Sequence, residues 1–487
     1  MATESDLDRW YWSVALVALM LLLCLWGNGD IPFLSVNEAR RAVTVREMFE
    51  AGNWMIPRMN GDLYLAKPPL FYWLALLPVE LSGGVTEWAM RLPSALFAVA
   101  LLASTYVAGS RIGGRSVGLY AALFLAANAG FSIFARRAEI EMTLAGFCVL
   151  SLLAAWFYLF HDPRRRWILL SYTLLGCGLL TKGPVSLLLV TAPLLVFVLL
   201  QRHGRGKALL CDPLGWLIAI AMGVSWYLAV TLQEGVGIWQ SIFQQDIVNK
   251  VSGSNGEPWY AYLGYLAGDF FPFWLILLVR PRQLWASIRT HGELKLMACA
   301  VLVPLLVFSA FNDKHAKYLL PIYPALALVL AWHWVALMGA WQGWKRRVQV
   351  WLPPFALFCF VAFFTILEPR VFAYRVQALP EVSEAVRAHP DQPLYSLGEP
   401  DMRLVYYAGR PVKPVSEGSI PSIDSSGAQL FVTGAIPASL QPLKSCVARH
   451  FEPFLKHRKE AWLIQLGEGC GLDKAPAATT GQTPPEA

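Results

Sequence analysis

Apolar runs separated by short charged loops repeat from Trp12 to about residue 367, and a more mixed pattern follows. No small-residue cleavage site closes the first run, Trp12 to Gly27, so it reads as a retained span. Further runs long enough to cross about 30 Å of hydrocarbon fall near 92–110, 117–134, 143–160, 167–181, 184–200, 214–232, 261–280, 295–311, 318–340 and 348–367. The pattern predicts about eleven spans, or up to about thirteen if adjoining runs divide. Leu70–Leu81, just after Pro68-Pro69, reads as a juxtamembrane or re-entrant helix that does not cross fully. Past residue 368 the apolar runs shorten. LPEVSEAVRAHP (379–390) predicts a helix, and 393–398, 404–409, 429–434 and 462–467 predict short Gly-bounded strands. The expected fold is mostly α. A polytopic transmembrane helical bundle over 1–367, with its first outer loop at 28–91, precedes a small α/β domain at 368–470 and a disordered Pro/Ala/Thr-rich tail at 471–487.

Composition narrows the class. Only 15% of residues are charged and 56% are hydrophobic, against roughly 25% charged in soluble domains, which excludes soluble and disordered classes. Twenty Trp and 17 Tyr suit two membrane–water interfaces. A net charge of +7 is too modest to argue for nucleic acid. The eight Cys form no metal-type pair, and Cys446 and Cys470, the two in the tail, are candidates for pairing in an oxidising compartment.

The charges also orient the chain. Arg111 and Arg115, Arg164 to Arg166, Arg202 with Arg205 and Lys207, Arg280 with Arg282 and Arg289, and Lys345 to Arg347 occupy every second loop. Positive loops face the cytoplasm, which puts the N-terminus inside. Residues 28–91, 135–142, 182–183, 233–260, 312–317 and the tail then fall outside, the topology of a multi-pass inner-membrane protein. On that outer side sits an unusual ionisable set. It includes Glu38, Arg40, Arg41, Arg58 and Lys67 in the first loop, then Arg136, Arg137, Glu139 and Glu141, then Lys182, and finally Asp313, Lys314, His315 and Lys317 before Tyr318. Charge near hydrocarbon is costly and points to function. Arg and Lys beside carboxylates can hold an anionic group, phosphate above all; the alternative is that each cation snorkels to headgroups or pairs with a neighbouring acid. Asn37–Ala51 reads as a helix that Asn37 caps, with Glu38 at its positive end.

At these residues the chain resembles the lipid-carrier-dependent glycosyltransferases of the GT-C superfamily. It is most similar to the ArnT-like branch, whose type member is the aminoarabinose transferase acting on lipid A, related to protein O-mannosyltransferases. The resemblance lies in residues 37–74 (NEARRAVTVREMFEAGNWMIPRMNGDLYLAKPPLFYWL), 91–97 (RLPSALF), 136–147 (RRAEIEMTLAGF), 178–190 (GLLTKGPVSLLLV), 257–263 (EPWYAYL) and 313–328 (DKHAKYLLPIYPALAL), and covers roughly 10–340. It implies transfer of a sugar from a polyprenyl-phosphate donor to a lipid, glycan or protein acceptor on the extracytoplasmic face. The family opens the first outer loop with Asp-Glu; here Asn37-Glu38 stands there, Arg41 replaces an aromatic, Ala66 an often acidic residue, and Glu141 a second Asp.

The chemistry follows. A leaving carrier phosphate gains charge, which fixed cations or donors must meet; Arg40, Arg58, Lys67 and Lys182 are the candidates, with Lys317, Tyr318 and Asn37 as further substrate contacts. Glu38 and Glu141 are the candidate catalytic carboxylates, because a hydroxyl acceptor needs a general base and Asn37 cannot serve. A phosphate acceptor needs none. No cofactor is certain, though an acidic pair can hold a divalent ion through oxygen ligands. His315 is either a proton carrier or an ordinary interfacial His. Two other classes compete: a carrier-lipid-binding homologue without catalysis, and a lipid or sugar transporter, against which stand the lack of inverted repeats and the gathering of charge at one face.

Overall fold

The computed structural model describes residues 10–239, 257–370, 378–422, 427–437, 440, 445–451 and 460–467. They fall into two compact units. The first takes residues up to Ile31, Thr44–Arg58 and Asp62–Pro369; the second takes Pro32–Val43, Met59–Gly61 and the chain from Arg370 on.

The first unit is helical. Six helices among the described residues are long and apolar enough to cross a membrane: Glu87–Gly113, Ile140–Phe160, Gly206–Glu234, Gly292–Ser309, Ala316–Met338 and Gly343–Arg370. Arg115–Ala126 and Ala129–Ala135 make a seventh if their 70° bend counts as one span. Leu70–Ser82 and Val185–Gln201 are apolar but shorter. At 13 residues the former rises only about 20 Å, too little to cross. Glycine permits a close helix approach in the bundle: a Cβ on Gly118 would collide with the carbonyl oxygen of Tyr106. Only a bare Cα lets Glu87–Gly113 and Arg115–Ala126 pack that closely.

Two expected spans are broken. The run at 117–134 stops at Ala127, where Asn128 takes extended backbone and its side chain accepts the N–H of Phe131 at 2.7 Å, starting a new helix in another direction. The run at 261–280 is a nine-residue helix, Ala261–Asp269, then a 3-10 turn, Phe273–Leu278. Pro272, lacking an N–H, intervenes, and the Asp269 carboxylate accepts from Tyr323 on a neighbouring helix. Apolar composition continues through both breaks, so hydropathy alone does not register them.

At the other ends of the helices the basic loops are tied down. Asp212 caps Pro213–Glu234 by accepting from Gly215 N–H at 2.8 Å. Arg165 donates to that carboxyl at 2.9 and 3.2 Å.

The second unit carries a five-stranded sheet. Its strands are β3 (Leu394–Leu397), β4 (Lys413–Val415), β5 (Gln429–Thr433), β6 (Ser445–Phe451) and β7 (Ala461–Leu466), in the order β4-β3-β5-β7-β6. β3 pairs in parallel with β4 and β5, while β5–β7 and β7–β6 are antiparallel. Ile420, Leu430, Val432, Ile464 and Leu466 are buried on one core. The expected strand at 404–409 is instead a helix, Met402–Ala408. Asp401 starts it by accepting from Arg403 N–H at 2.8 Å, and Gly409 ends it at φ 72°. A six-residue apolar stretch fits a buried strand or a buried helix equally, and the cap decides. β4 and β6 were not legible as strands, being a short Lys-Pro-Val edge and a run whose middle is exposed. Helix Ala378–Arg387 overlaps the predicted 379–390, starting one residue earlier. Cys446 is disulfide-bonded; Cys470, its candidate partner, lies outside the described residues, as does the tail at 471–487.

The two-residue strands β1 (Arg58–Met59) and β2 (Asp62–Leu63) form a hairpin whose turn, Asn60-Gly61, takes φ 58° and 88°, as a two-residue type I′ loop requires.

One contact spans the sequence of the first unit. Arg136, 5% exposed, donates to the carbonyls of Leu23 (2.6 Å) and Trp26 (2.9 Å), and lies 3.6 Å from Glu368 and 5.2 Å from the centre of the Phe364 ring. It thereby takes up carbonyls at the end of the first helix and neutralises a buried acid. Arg136→Met is expected to cost about 3–5 kcal/mol, because breaking a buried pair strands its partner. The readout is a lowered unfolding midpoint of the detergent-solubilised protein, partly restored in Arg136→Met/Glu368→Met.

Candidate functional site

Three chain segments of the first unit bring charge to one place. Glu139 and Glu141 open the Ile140–Phe160 helix, Lys182 closes Arg165–Lys182, and Lys317 with Tyr318 lies on the 3-10 turn Ala316–Ile322. Each helix favours its own charge: a carboxylate at the positive N-terminal end, an ammonium at the negative C-terminal end. Gly183 at φ 75°, followed by Pro184, turns the chain straight after Lys182 into the Val185–Gln201 helix. The lysine is thereby held at the helix terminus instead of continuing into a loop.

The Glu141 carboxylate is the hub. Its Oε1 lies 3.1 Å from Lys182 Nζ and 3.2 Å from Lys317 Nζ, and Lys317 also reaches Glu139 Oε2 at 3.5 Å. Side-chain exposure is only 3% and 6% for Glu139 and Glu141, and 13% and 17% for Lys317 and Lys182. Lys182 Nζ stands 4.3 Å from the centre of the Tyr318 ring, a cation–π contact in a desolvated setting. Lys67 is half-buried, donates to its neighbour's carbonyl at Ala66 (3.1 Å), and its charge acts on Lys182.

This cluster forms the polar end of a cavity of about 680 Å³ whose remaining walls include Val185, Leu188, Leu189, Phe308 and Phe311. The shape of that chemistry is amphiphilic. An apolar chain fits the walls, and an anionic head meets two or three lysines. The lysines, however, are already paired with carboxylates. A bound phosphate must share them, which a compact ammonium with three donors permits.

Arg58 is exposed on β1 of the first unit, while Asn37, Glu38 and Arg40 belong to the second. The Val36–Glu50 helix is capped by Ser35, not by Asn37: Ser35 Oγ accepts Glu38 N–H at 3.1 Å, and Glu38 Oε2 accepts Leu34 N–H at 3.3 Å. Ser35-x-x-Glu38 is thus close to a capping box, and Glu38 is fully buried in it. Arg41, 8% exposed, donates to the carbonyl of Asn37 at 2.6 Å. Arg40 is exposed. Glu139 was missing from the sequence-derived site. Its signal was the Glu-x-Glu spacing at a helix start, which sets both carboxylates beside one helix end. Among the described residues no group of three or more His, Cys, Asp or Glu is placed to hold a metal ion.

Comparison with known proteins agrees with this architecture. The dolichyl-phosphate-mannose-protein mannosyltransferase family matches residues 66–231. An undecaprenyl phosphate-alpha-4-amino-4-deoxy-L-arabinose arabinosyl transferase of Pseudomonas savastanoi pv. phaseolicola is 28% identical over 348 residues, 69% of this chain and 63% of that protein. The enzyme of the same name from Pseudomonas paraeruginosa is 30% identical over 335 residues, 66% of this chain and 59% of its own. The chain therefore spans less than two thirds of the length of these relatives. The crystal structure of ArnT from Cupriavidus metallidurans bound to undecaprenyl phosphate superposes with a TM-score of 0.75 at 20% identity, covering 94% of this chain and 98% of that one. In sequence and in fold alike, this multi-span membrane protein is similar to ArnT.

Proposed function

We propose that the chain is an integral-membrane glycosyltransferase that moves a sugar from a polyprenyl phosphate, of the undecaprenyl type, to a cell-envelope acceptor. The observation that carries this reading is the Glu141–Lys182–Lys317 cluster at the polar end of an apolar-walled cavity. An isoprenoid fits the walls. Its phosphate meets Lys182, Lys317 and the charge of Lys67, with Tyr318 alongside, where positive charge offsets the negative charge that grows on the leaving group. Glu141, between the two lysines, orients them and faces the positive charge that develops at the anomeric carbon. Glu139 holds Lys317 from the other side. Arg40 and Arg58, both exposed, are assigned to substrate contact, while buried Glu38 and its neighbour Asn37 are assigned to shaping the first outer loop.

The reaction is placed on the extracytoplasmic face of a bacterial inner membrane, with the N-terminus inside. The 21-residue Ile140–Phe160 helix supports this placement. It carries Glu141 at one end and runs into the basic loop of Arg164 to Arg166 at the other, about 30 Å away. The relatives' printed names support a pentose-like amino sugar as the donor glycone.

Deleting the gene and profiling envelope lipids, glycans and polyprenyl-phosphate sugars by mass spectrometry tests the function directly. One carrier-linked sugar is expected to accumulate as one envelope adduct disappears, and unchanged profiles would refute the reading. Lys182→Ala and Lys317→Ala are each expected to slow transfer by about 10²–10³-fold, the usual cost of removing one donor to a developing anion, with thermal midpoints showing that the proteins still fold. For sidedness, a cysteine introduced at Arg165 is expected to react with membrane-permeant thiol reagents only. One introduced at Gly398 is expected to react with impermeant reagents in intact spheroplasts, and the reverse pattern would invert the topology.

A further inference from the structure

Beside the apolar-walled cavity lies a smaller one of about 270 Å³, lined by Glu257, Tyr265, Asn312, Asp313, Lys314 and His315. Asn312 and Asp313 line both, so the two cavities meet at that loop. Their chemistry differs. The larger has its apolar walls; the smaller is polar throughout apart from Ala316. Lys314 lines it as well, 5% exposed and donating to the carbonyls of Glu257 (3.0 Å) and Phe311. The small cavity therefore presents two carboxylates against one ammonium, the Tyr265 hydroxyl donating to Glu257 at 2.7 Å, and the His315 imidazole.

His315 Nε2 stands 3.2 Å from Asp313 Oδ1, with side-chain exposures of 54% and 44%. The imidazole meets the Tyr318 ring edge-on at 5.3 Å between centroids, and Lys182 lies over that same Tyr318 ring. One aromatic ring therefore separates His315 from the charged end of the carrier cavity.

We infer that the small cavity is the acceptor subsite, that it admits an uncharged hydroxyl, and that His315, oriented by Asp313, takes the hydroxyl proton. The inference rests on the transferase reading above and names its acceptor chemistry. An anionic acceptor such as a phosphate would meet the two carboxylates of Glu257 and Asp313 against the single ammonium of Lys314, an unfavourable balance at this range. A hydroxyl needs a base, and with the Asp313 carboxylate 3.2 Å from Nε2, Nδ1 is the nitrogen left to take the proton. In the step, the acceptor oxygen bonds to the anomeric carbon while the bond from that carbon to the carrier phosphate oxygen breaks. The bonding pair leaves with the phosphate, and the hydroxyl proton passes to His315 Nδ1. The imidazolium, paired with Asp313, then releases the proton to water. His315 is the catalytic residue and Asp313 a positioning residue.

The test uses membranes from the deletion strain, which hold the natural donor and acceptor, with purified full-length protein added and the envelope adduct followed by mass spectrometry. Undecaprenyl phosphate binding is measured separately by native mass spectrometry. His315→Gln is expected to slow adduct formation by about 10²-fold or more while binding undecaprenyl phosphate as the wild type does. Asp313→Asn gives the second reading. Asp313→Asn is expected to slow adduct formation and Asp313→Glu to recover part of the rate, both with wild-type binding of undecaprenyl phosphate; a merely structural role would not be rescued by the conservative variant at unchanged binding. Wild-type rates in His315→Gln, a parallel loss of its undecaprenyl phosphate binding, or no recovery in Asp313→Glu would overturn the inference while leaving the transferase reading intact. A wild-type protein that binds undecaprenyl phosphate but makes no adduct would overturn both.

Discussion

A carboxylate shared between two ammonium groups at the edge of an apolar bundle is the arrangement on which the rest of the molecule turns. Glu141 lies close to 3 Å from both Lys182 and Lys317. Any of the three left alone at that burial would be expensive, since an ion taken from water must be paired or neutralised. Together they are tolerable, and they help to fix the relative positions of three segments, two of which are also joined deeper in the bundle by the Ser151–Ser171 hydrogen bonds. The ends of two helices and one 3-10 turn are held in register by a handful of charges. The same charges that brace the fold are thus those a carrier phosphate would recruit.

That double duty explains the asymmetry of the bundle. At one end, cations sit in wet loops and bind helix carbonyls or flanking acids, as Arg165 does with Asp212 and Arg166 with Asp162. At the other, acids and lysines are drawn inward to the rim of a cavity and screened from water by Leu, Val and Phe. A field is strongest where walls of low polarizability surround it. A lipid phosphate would therefore find more attraction in this recess than on the basic surface opposite, although fewer cations face it.

Much of this was readable from the chain. Long apolar runs correspond to helices because a backbone in hydrocarbon must satisfy its own hydrogen bonds, and the anomalous lysines at 182 and 317 do converge. What was not readable depended on side chains acting on backbone at particular points. Asn128 redirects a helix within one continuous apolar run, and Asp401 turns a would-be strand into a helix. Ser35 takes the capping position that Asn37 was expected to fill. The pairing of Glu139 with Lys317, 178 residues apart, is a fact of tertiary packing that no local pattern encodes. Asn37, Glu38 and Arg40 belong to the same anomalous set of charges as Lys67, and they fall in the second compact unit.

Arg136 carries a consequence for biogenesis. Its guanidinium joins carbonyls of the first helix to an acid more than 230 positions later, just past the final apolar stretch. During insertion at the ribosome the early partner is present when Arg136 emerges, but Glu368 is not made until the bundle is almost complete. Docking of the Gly343–Arg370 helix, which carries Glu368, is therefore the step that pairs this buried cation with its acid.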